Sequence, residues 1–437
     1  MTLETRFAEA MDRLLPEPCP RRLGVSVSGG GDSTALMYLV AEWAARAGVA
    51  LHVVTVDHGL RPESAAEAGR TGAQAAGLNL PHTTLRLAGL AGGNLQDAAR
   101  RARHALIDRW RGDIGHVLIG HTMDDQAETF LINLARGSGV AGLSGMGERM
   151  RIVQPDPVVP AECLGPMPED SGQGGPGFVL LRPLLGERRE TLRDWLREKG
   201  IEWSEDPSND DPGFERVRIR NALRGDTGLG LDIEGLAATA GRLRRARVAL
   251  EARAAQVARS ITRIRHGDVI FSREALAGLE AETRATLLAH ALRWVSSAAY
   301  RPRAQALAEV TEDVLDGRVR TLHGCLLIAR GGVIRVTREE KAVCGLVLPF
   351  DGETVWDRRW LLRGPVRPGV VVRPLGSRGL GQIGPIPGGR DPRAALTALP
   401  ALYQGEEVLA LPGVLPGAWT AELRPPRGGF VEALTSA

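Results

Sequence analysis

Between residues 21 and 140 the apolar positions follow two alternating rhythms. Short runs rich in Val, Ile and Leu at 23–27, 49–57, 82–88 and 116–121 read as strands. Apolar residues three or four positions apart predict helices over about 33–47, 94–110 and 124–136, and Ala-rich helical sequence follows residue 57. Strands alternating with helices predict a parallel sheet covered on both faces. Ligands of such sheets bind beyond the carboxyl ends of the strands. The turn "SGGGDS" (28–33), the pair Asp57-His58 and the pair Gly120-His121 all fall at that edge.

The rhythm changes further on. Residues 151–178 are rich in Pro and Gly and predict a loop, and "FVLLRPLL" (178–185) a fifth strand. "GERRETLRDWLREKGIEW" is an amphipathic helix. In "FERVRIRN", Arg216, Arg218 and Arg220 alternate, which predicts an extended segment with three guanidiniums on one side. Residues 226–330 read as mainly helical, and short strands and turns begin near 336. The fold class is α/β: an N-terminal parallel-sheet domain over 1–225, a helical middle region over 226–335 and a small α+β domain over 336–437. The two later regions are the surface expected to bind a nucleic acid: "WDRRWLLRG" and "VVVRPLGSRG" set arginines near tryptophans, as an RNA surface or a charged strand edge would.

Composition narrows the partners. The 437 residues are 43% hydrophobic, enough for substantial cores, with a formal net charge of +3. No apolar run approaches the roughly 18 residues of a membrane span, and the start "MTLETRFAEAMDRLLPEP" is broken by acids, so a cytoplasmic protein with no membrane partner is expected. Lysine occurs only at 199 and 341, and the other basic residues are arginines, suited to bidentate phosphate contacts. A coding bias produces the same skew. Cys19, Cys163, Cys325 and Cys344 are scattered, which argues against zinc, an iron–sulfur cluster or sulfur transfer.

A glycine-rich turn opening a helix offers backbone N–H groups to an anion, and side chains there would block its approach. A Walker loop needs a lysine that this turn lacks, and a dinucleotide fingerprint needs GxGxxG, which "SGGGDS" does not supply. The turn matches S-G-G-x-D-S instead. With "VDHGLRPES" (56–64), "GHTMDDQAET" (120–129), "RGSGVAGLSGM" (136–146), "RPLL" (182–185) and "EDPSN" (205–209) following in order, the chain resembles the PP-loop (Rossmann-like) ATP pyrophosphatases and, within them, the bacterial tRNA(Ile)-lysidine synthetases. The resemblance covers about residues 20–225 and departs at Val217, where the family pattern has Asn.

The resemblance implies a reaction. ATP activates C2 of the wobble cytidine of an isoleucine tRNA with a CAU anticodon, pyrophosphate leaves, and the ε-amine of free L-lysine displaces AMP. The partners are that tRNA and L-lysine, with a homodimer allowed, and the cofactors are ATP and Mg²⁺. Ser28, Gly29, Gly30, Gly31, Asp32, Ser33, His58, Gly120 and His121 are expected around the nucleotide. Asp32 and Asp125 are the expected metal ligands. Asp124, Asp125 and Glu128 share a helical face and are expected to hold lysine, whose cationic amine must lose a proton before attack. Arg100, Arg103, Arg216, Arg218 and Arg220 are expected on ATP phosphates or tRNA, with Arg100 and Arg216 in the reaction itself. Bland alternatives stand beside these readings: helix capping for Asp32, acidic decoration of a helix start for "DDQAET", and a solvated face for the arginines.

Overall fold

The computed structural model describes residues 1–57, 59, 63–87, 95–153, 161–169, 177–205, 211, 213, 215–225, 230–384, 386 and 391–435. The chain divides into two compact units, Met1–Arg245 and Ala246–Ala437.

The first unit contains α1 (Leu3–Leu14), β1 (Arg22–Ser26), α2 (Gly31–Ala47), β2 (Ala50–Asp57), α3 (Ser64–Gly77), β3 (His82–Leu87), α4 (Leu95–Trp110), β4 (His116–Ile119), α5 (Met123–Ala135) and α6 (Val140–Leu143). It continues through β5 (Arg149–Ile152), β6 (Ala161–Leu164), β7 (Phe178–Leu181), α7 (Arg189–Glu198), α8 (Glu215–Arg224) and the start of α9 (Ile233–Ile261). The strands form one sheet in the order β5-β7-β4-β1-β2-β3-β6. Its five central strands are parallel. The two edge strands, β5 and β6, pair antiparallel with β7 and β3. They overturn the reading of 151–178 as loop alone: each is four residues long, too short to show a period between Pro- and Gly-rich flanks.

Successive residues of the central strands feed opposite cores, as a pleated strand requires. Val53, Leu118 and Leu181 join the core under α1, α2 and α7. Val54, Val117 and Leu180 join a second core around Leu106, Ile107 and Trp110 of α4. Burial on both faces makes these strands continuous apolar runs, which is why they were readable. At Gly24 of β1 a Cβ would stand 3.3 Å from the Trp110 ring, so the missing side chain makes room for the indole.

The second unit begins within α9 and continues through β8 (Thr262–Arg265), β9 (Asp268–Ser272), α10 (Arg273–Ala277), α11 (Ala281–Ser296), α12 (Ala304–Leu315), β10 (Arg320–Leu322), β11 (Cys325–Arg330) and β12 (Val333–Arg338). The five strands form an antiparallel sheet, so the middle region is not helical alone. Arginine-studded strands such as "TRIR" carry too few apolar residues to mark a period. After α13 (Glu340–Val343) come β13 (Leu348–Pro349), β14 (Glu353–Trp356), β15 (Trp360–Arg363), β16 (Val370–Pro374), α14 (Gly376–Gln382), α15 (Arg393–Leu396), β17 (Pro400–Gln404), β18 (Glu407–Ala410) and β19 (Thr420–Leu423). They make a four-stranded and a three-stranded sheet around a core of their own, including Trp356, Leu362 and Leu402. The chain end returns to the earlier core, where Phe430 meets Phe271 edge-on at 6.3 Å.

Candidate active site

The glycine turn joins β1 to α2, as expected. Gly29 has φ +88°, a conformation that glycine adopts without strain. Gly30 is the N-cap of α2 and supplies no side-chain cap, leaving the helix start open to an anion. The Ser33 hydroxyl donates to the Gly30 carbonyl at 2.9 Å and accepts from the Ser28 amide at 3.1 Å, so it shapes the turn. The exposed Ser28 hydroxyl stands 3.1 Å from it. Across the turn, the Ser204 amide donates to Gly29 O at 2.9 Å, and Trp203 covers Gly31. A Cβ at Gly120 would lie 3.0 Å from backbone atoms of Asp32 and Ser33, so this glycine lets the end of β4 approach the start of α2. Asp57, at the end of β2, accepts from the Gly59 amide at 2.9 Å and the Ser64 hydroxyl at 2.6 Å. His58 lies outside the described residues.

The acidic residues converge on a guanidinium. Arg189, at the start of α7, donates through Nε to Asp32 at 2.9 Å, through Nη2 to Asp125 at 3.1 Å and through Nη1 to Glu128 at 3.3 Å. Its side chain is 11% exposed. Burial disfavours its charge, but Asp125, Asp32 and Glu128 outweigh that and raise its pKa. Asp125 also closes a capping box on α5, accepting from the Thr122 amide at 2.8 Å. Burial pushes Asp125 upward, yet Arg216 and Arg189 hold it at about 2. Asp32 moves the other way: burial raises its pKa against the pull of Arg189. Its Oδ1 is buried and has no hydrogen-bond partner.

Arg216 and Arg220 approach from α8. Their Nε atoms each donate to Glu128 at 2.7 Å, one to each carboxylate oxygen. The extended segment expected here is a helix: residues 216 and 220 share a face at i,i+4 spacing, and Val217 is buried. Arg218 is exposed elsewhere on the helix and donates to Gly213 O at 3.0 Å. Asp124 turns to α7, where it accepts the Arg189 amide at 2.8 Å.

A basic sector adjoins the acidic one. Arg182 donates from Nε to Nδ1 of His121 at 2.9 Å, which places the imidazole proton on Nε2. Burial lowers His121 to about 4, with Arg182, Arg216 and Arg103 adding to it against Asp125. Burial, with Arg100, Arg103, Arg182 and His121, lowers His104 to about 3. Arg100 is half exposed and pairs with Asp97 at 3.0 Å. Burial and Arg100 lower Arg103. The structure thus gathers Asp32, Asp125, Glu128, Arg216 and Arg220 in one network and sets Arg100, Arg103 and His121 beside it. Sequence reading did not single out Arg189, Arg182 or His104. Only Arg182 carried a signal, as the first residue of "RPLL".

Comparisons with known proteins show the family. The PP-loop domain family matches residues 3–226. A tRNA(Ile)-lysidine synthase of Ruegeria pomeroyi is 44% identical over 95% of this chain and 94% of its own length. One of Hyphomonas neptunium is 41% identical over 75% of this chain and 83% of its own length. One of Mesorhizobium japonicum is 33% identical over 94% of this chain and 88% of its own length. With a glycine turn open at a helix start, acidic and basic sectors at the carboxyl edge of a parallel sheet, and relatives spanning both units, the chain belongs to the tRNA(Ile)-lysidine synthase family of PP-loop enzymes.

Proposed function

We propose that the enzyme joins free L-lysine to C2 of the wobble cytidine in an isoleucine tRNA with a CAU anticodon, in the cytoplasm, and so changes its codon from AUG to AUA. The observation that carries the reading is the gathering of Asp32, Asp125 and Glu128 beside the open start of α2. In the first step the cytidine O2 attacks the α-phosphorus of ATP and pyrophosphate leaves. In the second the lysine ε-amine attacks C2 and AMP leaves with the O2 oxygen. The backbone of residues 29–33 and the α2 dipole bind the phosphates. Arg100 and Arg103 extend that anion-binding sector, the exposed Arg218 meets the tRNA, and Arg220 braces Glu128.

Mg²⁺ fits Asp32. The ion commonly takes one or two carboxylates and completes its shell with substrate phosphates and water. The buried, unpartnered Oδ1 of Asp32 is such a donor, and Asp125 is linked to it through Arg189. Among the described residues no group of three or more His, Cys, Asp or Glu side chains is arranged to hold a metal, in keeping with an ion carried largely by phosphate. When bound it would neutralise the charge of the departing pyrophosphate.

Asp125 and Glu128 hold the lysine ammonium. Asp125, at about 2, is too weak a base to take its proton at neutral pH, so its part is electrostatic. Arg189 offsets the mutual repulsion of the three carboxylates and keeps the acidic sector intact before substrate arrives. The test is incubation with ATP, labelled lysine and the isoleucine tRNA. Label should enter tRNA in proportion to pyrophosphate released. Pyrophosphate release without lysine incorporation would sink the reading.

A further inference from the structure

The second unit holds a guanidinium cluster with no part in the site above. Arg247 lies on α9, Arg293 on α11, Arg301 just beyond α11 and Arg427 beyond β19. Nη2 of Arg293 and Nη2 of Arg427 both donate to the carbonyl of Ala299, at 3.4 and 3.5 Å. Nη2 of Arg301 donates to Oε1 of Glu251 at 3.2 Å, and Nε of Arg247 stands 3.7 Å from the same oxygen. Glu251 is 8% exposed, and Arg247 and Arg301 are 20% and 30% exposed. Glu282 is the further carboxylate within electrostatic reach of Arg301. Among the described residues, four guanidiniums thus gather around the carboxylates of Glu251 and Glu282 in a partly buried place.

That arrangement is strained as it stands. Burial and the neighbouring Arg427 and Arg301 push Arg293 down to about 9, and burial lowers Arg301 and Arg427 as well. Nε of Arg293 is buried and donates to nothing. Nearby His290 adds no positive charge near neutral pH, because burial lowers it to about 4. Replacing buried charges with apolar residues commonly stabilises a fold, so stability alone does not account for the cluster. An anion with several oxygens would offset the mutual repulsion of the guanidiniums, and planar guanidinium forks suit phosphate oxygens. Tyr300, 46% exposed, lies in the chain between Ala299 and Arg301.

We propose that Arg247, Arg293, Arg301 and Arg427 form a phosphate site that takes the backbone of the tRNA substrate, an assignment that rests on the function proposed above. Its test uses the full chain. The dissociation constant for tRNA is measured against salt for wild type, for Arg293→Gln with Arg427→Gln, and for the two Arg→Lys changes together. ATP affinity is followed in parallel as a control for the first unit. Each duplex phosphate contact contributes about 0.9 to the slope of log affinity against log salt, so the Gln pair should lower the slope by about 1.8, and the Lys pair should restore most of it. A second measurement avoids substitution. Phenylglyoxal labelling of Arg301 and Arg427 in the native chain, read by peptide mass spectrometry, should be suppressed by tRNA and not by an equal concentration of inorganic phosphate. An unchanged slope in a folded Gln variant overturns the assignment. So does labelling that tRNA leaves unaltered, which decides the matter alone if the Gln variant fails to fold. Equal protection by inorganic phosphate overturns the RNA assignment in favour of a small-anion site. A wild-type chain that incorporates lysine while the cluster stays unprotected leaves the proposed function standing. A wild-type chain that binds no tRNA sinks both.

Discussion

Arg189 is the side chain on which the acidic sector depends. Removing one partner from a buried ionic network typically costs about 3–5 kcal/mol, because charges are left uncompensated. Arg189→Met should therefore lower the stability of the first unit by about that much and abolish lysine incorporation. A denaturant titration followed by Trp fluorescence measures the loss, and a wild-type midpoint would mean the network holds nothing together. His290 gives a pH test in the second unit. Its Nε2 donates to the Phe430 carbonyl at 2.7 Å, and burial lowers its pKa from 6.5 to about 4 against that bond. Folding favours the neutral ring, so the stabilisation is complete above pH 6.5 and is lost as pH falls through 4. The whole effect is on the order of 3 kcal/mol. His290→Gln, which does not titrate, should flatten the Tm profile between pH 7 and 4 relative to wild type. An identical profile would remove His290 from the acid response. The same scale shows what the sequence could reveal. Asp32, Asp125 and Glu128 were legible because motif spacing put them at helix starts beyond strand ends. Arg189 was not, because in "GERRETLRDW" nothing local sets it apart from Arg188 or Arg193, and its partners lie 61 to 157 positions away in the chain.

At the scale of elements, α7 begins with no side-chain cap of its own, since Arg188 at its N-cap supplies none. Asp124 on α5 supplies the acceptor instead, so one contact joins two helices and sets the entry of Arg189. Asp124→Ala should cost about 1 kcal/mol, as for a lost helix cap, and should reduce kcat through the displaced Arg189. KM for lysine separates this from a direct substrate contact, which would raise KM chiefly. Element types were legible where a period ran for several turns or where a strand was buried on both faces, as in β1, β2 and α2. They were misread where period and structure disagree. The arginines of "FERVRIRN" alternate like a strand, yet packing of Val217 and the pull of Glu128 on residues four apart make α8 a helix. The short edges β5 and β6 are defined by their partners more than by their own residues.

At the scale of the whole molecule, the first unit extends to Arg245. Leu236 and Ala240 of α9 bury against Ala127 and Phe130 of α5, the helix that carries Asp125 and Glu128. A fragment ending at 245 should melt cooperatively and bind ATP with near-normal affinity, yet lose most tRNA affinity. A fragment ending at 224 uncovers Ala127 and Phe130 and should be less stable by about 2–4 kcal/mol, the range for removing large core side chains. Matching stabilities would show that α9 does not support α5, and full tRNA affinity in the longer fragment would leave the second unit without a binding role. The cations paired with the carboxylates are of one kind. Arg188, Arg189, Arg193, Arg216 and Arg220 all carry guanidiniums, which stay protonated and do not act as nucleophiles near neutral pH. The sequence has two lysines: Lys199 stands at the far end of α7, 3.9 Å from Glu4, and Lys341 belongs to the second unit. On the proposed function, an activated base in this site therefore meets no lysine side chain of the first unit near the carboxylates, only the amines of the lysine delivered as substrate, and this unit is spared self-modification. Arg189→Lys would remove that immunity and should leave a fraction of the chain crosslinked to tRNA, visible as a retarded band on a denaturing gel.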